Sequence, residues 1–160
     1  MKNIVFVTKN MSFGGAERVI ANLSNHFISK GYEITIIIMT NKEIFYKLNP
    51  TINIINIGTK KSKIKSYYTI RKVILSINPD VIISMPEEVG IYLIPALFFT
   101  KIPLIISERN NPWIMPWKKI TRFMRKIFYP FVDGIVFQTN YASSYFSKKI
   151  RRKIYAKRYV

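Results

Sequence analysis

The sequence predicts an α/β fold in which a doubly wound parallel sheet is covered by helices on both faces. Two observations lead to this fold class. Short runs rich in Ile and Val alternate with segments of helical periodicity, and none of the runs shows the strict polar alternation of a half-exposed strand. The 160 residues, with 49% hydrophobic content, are enough to bury the core of one domain.

The strands are predicted from six apolar runs, each of which is short and contains no helical spacing. Runs of this kind are typical of strands that are buried on both faces of a parallel sheet. They are Ile4 to Val7, Ile34 to Met39, Ile52 to Ile57, Val81 to Met85, Leu104 to Ser107 and Ile135 to Gln138.

Helices are predicted in the intervals between these runs, where apolar residues recur three and four positions apart. The first is expected to stop at Gly31, which suits a helix C-cap, and the second at Asn78, which precedes a proline. The third begins with two glutamates, which favour the positive end of a helix. The five predicted helices cover Ala16 to Phe27, Tyr67 to Ile77, Glu87 to Thr100, Ile120 to Phe131 and Asn140 to Ile150.

The net charge of +18 would suit nucleic acid or an anionic membrane surface as a partner. A nucleotide composition rich in A and T explains the same excess of lysine without any functional demand, and both explanations stay open. The absence of cysteine excludes a disulfide framework and a thiolate metal site, and the single histidine, His26, cannot form a metal site alone. We therefore expect no metal.

No segment of the sequence is predicted to span a membrane. The apolar run at the N-terminus is too short for a signal peptide. The longest apolar stretch, Val89 to Phe99, falls well below the roughly 20 residues that a bilayer requires, and Pro95 interrupts it. We expect a cytoplasmic chain that is peripheral at the inner face of the cell membrane.

A glycine pair follows the first strand and opens the first helix, where such folds bring the backbone close to a ligand. Gly14 and Gly15 are expected to form a tight turn whose amides approach a phosphate or a sugar. The turn is not the GxGxxG fingerprint, and Met39-Thr40-Asn41 stands where a ribose-binding carboxylate would be. A nicotinamide cofactor is therefore disfavoured, and a merely structural turn stays open.

Four landmarks occur in the same order in a known family. They are Gly14-Gly15-Ala16-Glu17-Arg18, Asn78-Pro79-Asp80-Val81-Ile82, the run from Ile102 to Asn110, and the run from Asp133 to Thr139. On these residues the chain resembles the family 4 retaining glycosyltransferases of the GT-B fold, over about residues 1 to 150. The resemblance implies the Rossmann-like N-terminal half of such an enzyme, which binds a lipid-linked or sugar acceptor.

The resemblance also implies what this chain lacks. Relatives bind a nucleotide sugar, the donor of the complete enzyme, in a second domain that carries two glutamates separated by seven residues, and no two glutamates here have that spacing. We expect the donor domain to be absent, no cofactor to be bound, and residues 151–160 to be a frayed or disordered basic tail. The chain is thus expected to be truncated and inactive alone, with its catalytic residues unknown.

The acceptor site is expected at the carboxyl ends of the strands. Arg109 stands near a position where many relatives have a histidine; because a guanidinium stays protonated at neutral pH, it suits a phosphate clamp and not a base. The alternative is that Arg109 forms a structural ion pair with Glu108 or Glu87. The predicted acceptor and phosphate residues are Gly14, Gly15, Glu17, Arg18, Glu108, Arg109 and Asn110.

A membrane contact is expected beside the fourth helix, where tryptophans and bases accompany an apolar stripe. Indole rings favour the headgroup zone, and bases are attracted by anionic lipid. The alternative is that Phe123, Phe128 and Phe131 pack on the sheet while the bases form a solvated face. The predicted contact residues are Trp113, Trp117, Lys118, Lys119, Arg122, Arg125 and Lys126.

The leading function is acceptor recognition within a hexosyltransferase that builds surface glycan, either polysaccharide or lipid-linked oligosaccharide. One alternative is a split enzyme, in which a separate donor-domain subunit completes the active site. A basic nucleic-acid-binding module is the third possibility. It is disfavoured, because no known reader motif accompanies the charge, and no nucleic-acid partner is expected.

Overall fold

The computed structural model describes residues 2–58 and 63–152. Within them, six parallel strands form one sheet in the order β3-β2-β1-β4-β5-β6. The strands are β1 (Asn3–Thr8), β2 (Glu33–Ile38), β3 (Asn53–Asn56), β4 (Val81–Met85), β5 (Leu104–Glu108) and β6 (Gly134–Phe137). All six predicted strands are confirmed, with ends shifted by one residue or left unchanged.

Helices cover both faces of the sheet, as the fold class requires. They are α1 (Gly15–Ser29), α2 (Lys63–Ile77), α3 (Glu87–Ala96), α4 (Lys119–Phe128), α5 (Asn140–Ser144) and α6 (Lys148–Arg151), with a turn of 3-10 helix at Tyr129–Phe131. The predicted stops of the first two helices are confirmed: Gly31 (φ 82°) and Asn78 (φ 48°) both adopt the left-handed backbone that ends a helix.

The core consists of two apolar clusters, one on each face of the sheet. Ile4 and Phe6 of β1 point to the face that α1 covers, whereas Val5 and Val7 point to the face that α2 and α3 cover. Successive side chains of a strand project to opposite faces, so a strand buried on both sides is apolar at every position. This is why the strands show no polar alternation.

The second helix begins earlier than predicted, at Lys63, and the fourth ends earlier, at Phe128. The third and fifth predicted helices differ from those observed for reasons that the backbone shows. The third helix ends at Ala96 and not at Thr100, because the chain turns through Phe99, whose φ is 64°. The segment predicted as one helix over Asn140 to Ile150 forms two, since Ser147 starts a new helix by accepting a hydrogen bond from the Ile150 amide at 3.5 Å. Of the predicted basic tail, residues 151 and 152 close α6 and residues 153–160 lie outside the described ranges.

The strand order reverses direction between β1 and β4. In open parallel sheets, ligands bind in the crevice outside the carboxyl ends of the strands at such a reversal. The loops that follow β1, β4, β5 and β6 therefore delimit the region in which a ligand site is expected.

Candidate functional site

The glycine turn after β1 is tied to the segment that follows β2. The Gly14 amide donates to the Tyr46 hydroxyl oxygen at 3.3 Å, and that hydroxyl donates to the Gly14 carbonyl at 2.9 Å. With φ at 172°, Gly14 has extended backbone that any residue adopts. Gly14 therefore does not use the positive-φ backbone that favours glycine.

Space around the turn distinguishes its two glycines. A Cβ at Gly14 would lie 2.2 Å from a carboxylate oxygen of Glu17, whereas a Cβ at Gly15 would meet nothing within 4 Å. Gly15 and Arg18 are exposed and Glu17 is half-buried. The side of the turn at Gly15 is thus open to a ligand, while Glu17 covers Gly14.

A small cavity lies at the strand reversal, between the loops after β1 and β4. Its volume is about 280 Å³, and its lining includes Lys9, Thr40, Pro86 and Glu88. Two larger hollows are found elsewhere, one beside the C-terminal end of α3 and one at the amino ends of the strands. The cavity at the reversal is the smallest of the three, but it is the one that the topology of the sheet associates with ligands.

A polar network crosses the carboxyl ends of β4, β5 and β6. Glu87, the fully buried first residue of α3, accepts a hydrogen bond from the Asn110 side-chain amide at 2.7 Å and one from the Arg109 backbone amide at 3.5 Å. With the Gln138 amide oriented to satisfy both groups, its nitrogen donates to the Arg109 carbonyl at 2.8 Å and its oxygen accepts from Arg109 Nη2 at 3.1 Å. The loop after β5 is therefore fixed from both sides.

The Arg109 guanidinium is half-buried and lies against a neutral amide. The alternative prediction, an ion pair with Glu108 or Glu87, is wrong for this side chain. Among the described residues the ion pair within 4.0 Å joins Arg125 to Glu108. Burial lowers the pKa of Arg109, yet a guanidinium remains protonated at neutral pH. Arg109 thus retains its charge and several donors for an anionic ligand.

Glu108 is not on the rim of the site, which corrects the prediction that it contacts the acceptor. Its side chain is fully buried, accepts from Arg125 Nη1 at 2.9 Å and accepts a short hydrogen bond from the Tyr129 hydroxyl. Burial raises the pKa of Glu108 to about 7, assisted by the nearby Glu87 and opposed by the positive charge of Arg125. Burial also raises the pKa of Tyr129, so its hydroxyl remains a donor.

Arg125 is likewise inside the protein, and its predicted membrane contact is wrong. It is 1% exposed, and besides Glu108 it donates to the carbonyls of Pro112 at 2.9 Å and Met115 at 3.1 Å. Its guanidinium lies 4.9 Å from the centre of the Tyr145 ring, within the range of a cation–π contact. Arg125 therefore anchors the loop that joins β5 to α4.

The outer face of α4 is apolar and exposed. Ile120, Phe123 and Ile127 lie three and four residues apart, which places them on one side of the helix, and all three are exposed. Trp117, which precedes the helix, and Phe131, which follows it, are 72% and 63% exposed, and we count both with this stripe. The alternative prediction, that Phe123 and Phe131 pack on the sheet, is wrong; Phe128, which is half-buried, does pack against the core.

Bases flank this apolar stripe along one side. Lys118, Lys119 and Lys126 are exposed and Arg122 is half-buried. We name the stripe and these four bases together the α4 face. None of the described helices is long and apolar enough to cross a bilayer.

Trp113 lies apart from the α4 face. Its ring packs edge to face on Tyr145, with centroids 4.8 Å apart, and lies 6.0 Å from the ring of Tyr141. Trp113 thus belongs to the loop after β5 and to α5, whereas Trp117 stands free on the surface.

Several residues of the site were missed by reading the sequence. Glu87 and Gln138 were placed correctly at the ends of a helix and a strand, and the convergence of these ends at one sheet edge was the available signal. Arg125 and Tyr129 carry no such signal, because the sequence does not show which side of a predicted helix meets a strand end.

Comparison with known proteins agrees with the resemblance in the sequence. The model of the family described as Glycosyltransferase Family 4 matches residues 13–155. A protein of Campylobacter jejuni subsp. jejuni serotype O:2 is 31% identical over 162 residues, which is 95% of this chain and 44% of the relative. It is named GalNAc-alpha-(1->4)-GalNAc-alpha-(1->3)-diNAcBac-PP-undecaprenol alpha-1,4-N-acetyl-D-galactosaminyltransferase.

Solved structures place the fold among GT-B glycosyltransferases. The lipopolysaccharide outer core galactosyltransferase WaaB in its apo form matches with a TM-score of 0.68 at 15% identity, covering 96% of this chain and 44% of WaaB. Sucrose-phosphate synthase from Thermosynechococcus elongatus matches with a TM-score of 0.69 at 10% identity, covering 95% of this chain and 45% of the synthase. The chain spans about half the length of these proteins and corresponds to their N-terminal half.

Proposed function

This chain belongs to glycosyltransferase family 4, and on that premise we propose that it supplies the acceptor-binding half of a hexosyltransferase in glycan synthesis. The acceptor is a glycan linked to a polyprenyl diphosphate, and the donor, a nucleotide sugar, is bound by a second GT-B domain. The alternative is a split enzyme, in which a separate subunit supplies the donor-binding domain. The relative from Campylobacter, whose printed name describes an undecaprenyl diphosphate-linked acceptor, supports this substrate class.

The observation that carries the proposal is the placement of Arg109. Its charged guanidinium lies at the carboxyl edge of the sheet, half-buried, and is held by Gln138 without a carboxylate to neutralise it. A planar guanidinium forms two parallel charge-assisted hydrogen bonds with a phosphate. Asn110, fixed by Glu87, stands beside it. The network therefore provides a preorganised contact for the diphosphate of the acceptor.

These residues act in the transfer by holding and orienting the acceptor. Arg109 and Asn110 fix its diphosphate, and the open backbone at Gly15 leaves room for the ligand beside the first loop. Holding a reactant in a fixed position lowers the entropic part of the barrier to transfer. Glu108, which is fully buried and engaged with Arg125 and Tyr129, serves to support the loop.

Binding of inorganic pyrophosphate and of farnesyl diphosphate tests this proposal. Arg109→Lys keeps the charge but loses the planar fork, so we expect both ligands to bind about tenfold more weakly, as measured by calorimetry. Arg151→Lys, a matched change on α6, leaves both affinities unchanged. Equal affinities for folded Arg109→Lys, folded Arg109→Ala and the unchanged chain would show that Arg109 is only structural.

A fusion of this chain to the donor domain of a family relative extends the test to turnover. We expect Arg109→Lys to raise the KM for the lipid-linked acceptor while hydrolysis of the donor sugar changes less, because donor contacts lie in the other domain. Equal loss of both activities would instead indicate a general defect of the fused enzyme.

We also propose that the α4 face docks on an anionic membrane, where a lipid-linked acceptor resides. The support is its composition: an exposed apolar stripe that includes Phe123 and Trp117 lies beside a row of bases. A helix with this division lies in the plane of the interface, its apolar side among the acyl chains and its bases near anionic headgroups. The protein would then be peripheral at the inner face of the cell membrane.

Cosedimentation with vesicles tests the docking. We expect binding to phosphatidylcholine vesicles that contain phosphatidylglycerol, weakened by high salt and by glutamine at Lys118, Lys119, Arg122 and Lys126. Serine at Ile120, Phe123 and Ile127 should reduce binding about tenfold even at low salt, because the apolar insertion is lost. Equal binding to neutral vesicles would contradict the electrostatic contribution, and unchanged binding of the serine variant would contradict insertion.

A further inference from the structure

We propose that Trp113 and Tyr141 form a stacking platform for a pyranose ring of the acceptor. This inference rests on the proposed function, since it assigns the sugar of the same acceptor whose diphosphate Arg109 would hold. It also reassigns Trp113, which the sequence placed among the membrane contacts, to the acceptor site.

The two rings are exposed neighbours that are supported from behind. Trp113 is 47% exposed and Tyr141 is 65% exposed, and their centroids lie 6.0 Å apart with planes inclined by 37°. Tyr145 backs the pair by packing edge to face on Trp113 at an interplanar angle of 84°. Part of each ring thus remains open to a ligand while the indole is held in place.

The platform is located beside the proposed phosphate clamp. Trp113 follows Arg109 by four residues in the loop after β5, and Tyr141 follows Gln138 by three residues after β6. The Arg109 guanidinium contacts Gln138. The proposed phosphate clamp at Arg109 therefore lies where the loop after β5, which carries Trp113, and the segment after β6, which carries Tyr141, leave the sheet. We infer that the sugars of a glycan whose diphosphate is held at Arg109 lie within reach of the platform.

The loop that carries Trp113 is fixed by several contacts. The Trp113 amide donates to the Asn111 side chain at 3.1 Å, and Arg125 binds the Pro112 carbonyl at 2.9 Å. A platform that is already ordered loses little conformational entropy when a ligand binds. This rigidity suits recognition of a small, weakly binding group such as a single sugar.

The chemistry of the rings favours a sugar over a purely apolar ligand. The electron-rich faces of aromatic rings attract the partly positive C–H groups on one face of a pyranose, and the indole N–H and phenol O–H supply polar contacts for its hydroxyls. The molecule contains a second exposed aromatic pair, Phe13 and Phe45, at a centroid distance of 5.2 Å. That pair has no polar group, so it lacks the hydrogen-bonding part of this recognition.

Saturation-transfer NMR with methyl α-N-acetylgalactosaminide tests the platform on the 160-residue chain. The probe is chosen because the acceptor in the name of the Campylobacter relative contains GalNAc among its sugars. We expect binding in the millimolar range, with transfer strongest at the ring protons H3, H4 and H5, which share one face of this sugar. Trp113→Ala and Tyr141→Ala should each weaken binding about tenfold, whereas Trp117→Ala leaves it unchanged.

Vesicle binding is the second control, in which the expected effects of the Trp113 and Trp117 substitutions are reversed. We expect Trp117→Ala to weaken sedimentation with anionic vesicles and Trp113→Ala to leave it unchanged. If Trp113→Ala lowers vesicle binding and not glycoside binding, Trp113 is a membrane contact and the platform is wrong.

If no saturation is transferred from the unchanged chain to the glycoside, the platform is also wrong. The pyrophosphate titration of Arg109→Lys contains no sugar, so failure of the platform is distinguishable from failure of the proposed diphosphate site. Circular dichroism of each variant verifies that the fold is retained.

Discussion

The helices α3 and α4 have ten residues each but use them in opposite ways. Helix α3 buries apolar residues on nearly every side, whereas α4 buries Arg125 and exposes Ile120, Phe123 and Ile127. An apolar helix in the core is the ordinary outcome of the hydrophobic effect. A helix that exposes its phenylalanine and buries its arginine requires a separate explanation.

Each of the two helices contributes one buried ionisable side chain that binds the loop after β5. Glu87 of α3 binds Asn110, and Arg125 of α4 binds the carbonyls of Pro112 and Met115. The loop between the two charges carries the proposed acceptor contacts. The comparison therefore indicates that the inner side of α4 holds the loop after β5 through Arg125, which leaves the apolar side of the helix exposed.

Removing the buried charge of α4 should have the largest effect on stability. Arg125→Met leaves the Glu108 carboxyl group buried without its charged partner, so it must take up a proton on folding. We therefore expect a loss of about 3–5 kcal/mol in the free energy of unfolding at neutral pH, as measured with urea. Losing the Arg125 charge moves the pKa of Glu108 above its value of about 7 in the unchanged chain.

The pH dependence of this variant follows from the same pKa. The folded state binds the Glu108 proton more tightly than the unfolded state, so the variant should gain stability steadily as pH falls from its folded pKa, above 7, to the unfolded value near 4.5, and keep the full gain at lower pH. The double variant Arg125→Met with Glu108→Gln is the control, because it contains no titrating carboxyl at this position. A pH dependence that persists unchanged in the double variant would assign it to other groups.

A change in α3 should have an intermediate effect, because that helix is packed closely against the sheet. A Cβ at Gly90 would lie 2.7 Å from atoms of Ile106 and Ser84. We expect Gly90→Ala to destabilise the protein by about 1–2 kcal/mol, since the overpacking outweighs the gain in helix propensity. Thermal unfolding measures this loss.

Gly15→Ala is the matched control for this change. It also lies in a helix, but its Cβ would meet nothing within 4 Å. We expect an unchanged or slightly higher midpoint of unfolding. Equal losses for the two variants would argue against close packing of α3.

The exposed side of α4 should have the smallest effect on stability. Phe123→Ser removes a ring that is 59% exposed, so the free energy of unfolding should change by no more than about 0.5 kcal/mol. Met124→Ser, at the next position, removes a side chain that packs against the core and should cost more. If Phe123→Ser is the more damaging of the two, the α4 face is not a free surface.

Local patterns in the amino-acid sequence were enough to predict the elements of this protein and their order. Runs such as Val81 to Met85 had to be buried strands, and Gly31 and Asn78 had to end helices, because these features depend on local periodicity and backbone preference. The family landmarks, which lie at strand and helix ends, likewise specified the half of a GT-B fold. They also identified Arg109 and Asn110 as the segment that faces the carboxyl edge.

The contacts between side chains of different elements became known only from the folded arrangement. Glu108 and Arg125 are 17 residues apart, and nothing local in the sequence shows that α4 turns Arg125 and not Arg122 toward the end of β5. A charge buried near a carboxylate must be paired, and the rotation of α4 that pairs Arg125 with Glu108 also packs Met124 and Phe128 on the core. That rotation places Phe123 and Ile127 in solvent, although their apolar character alone predicts the core. The elements of this chain were thus predictable from local patterns, whereas the burial of Arg125 and the exposure of the α4 face depended on contacts between residues far apart in the sequence.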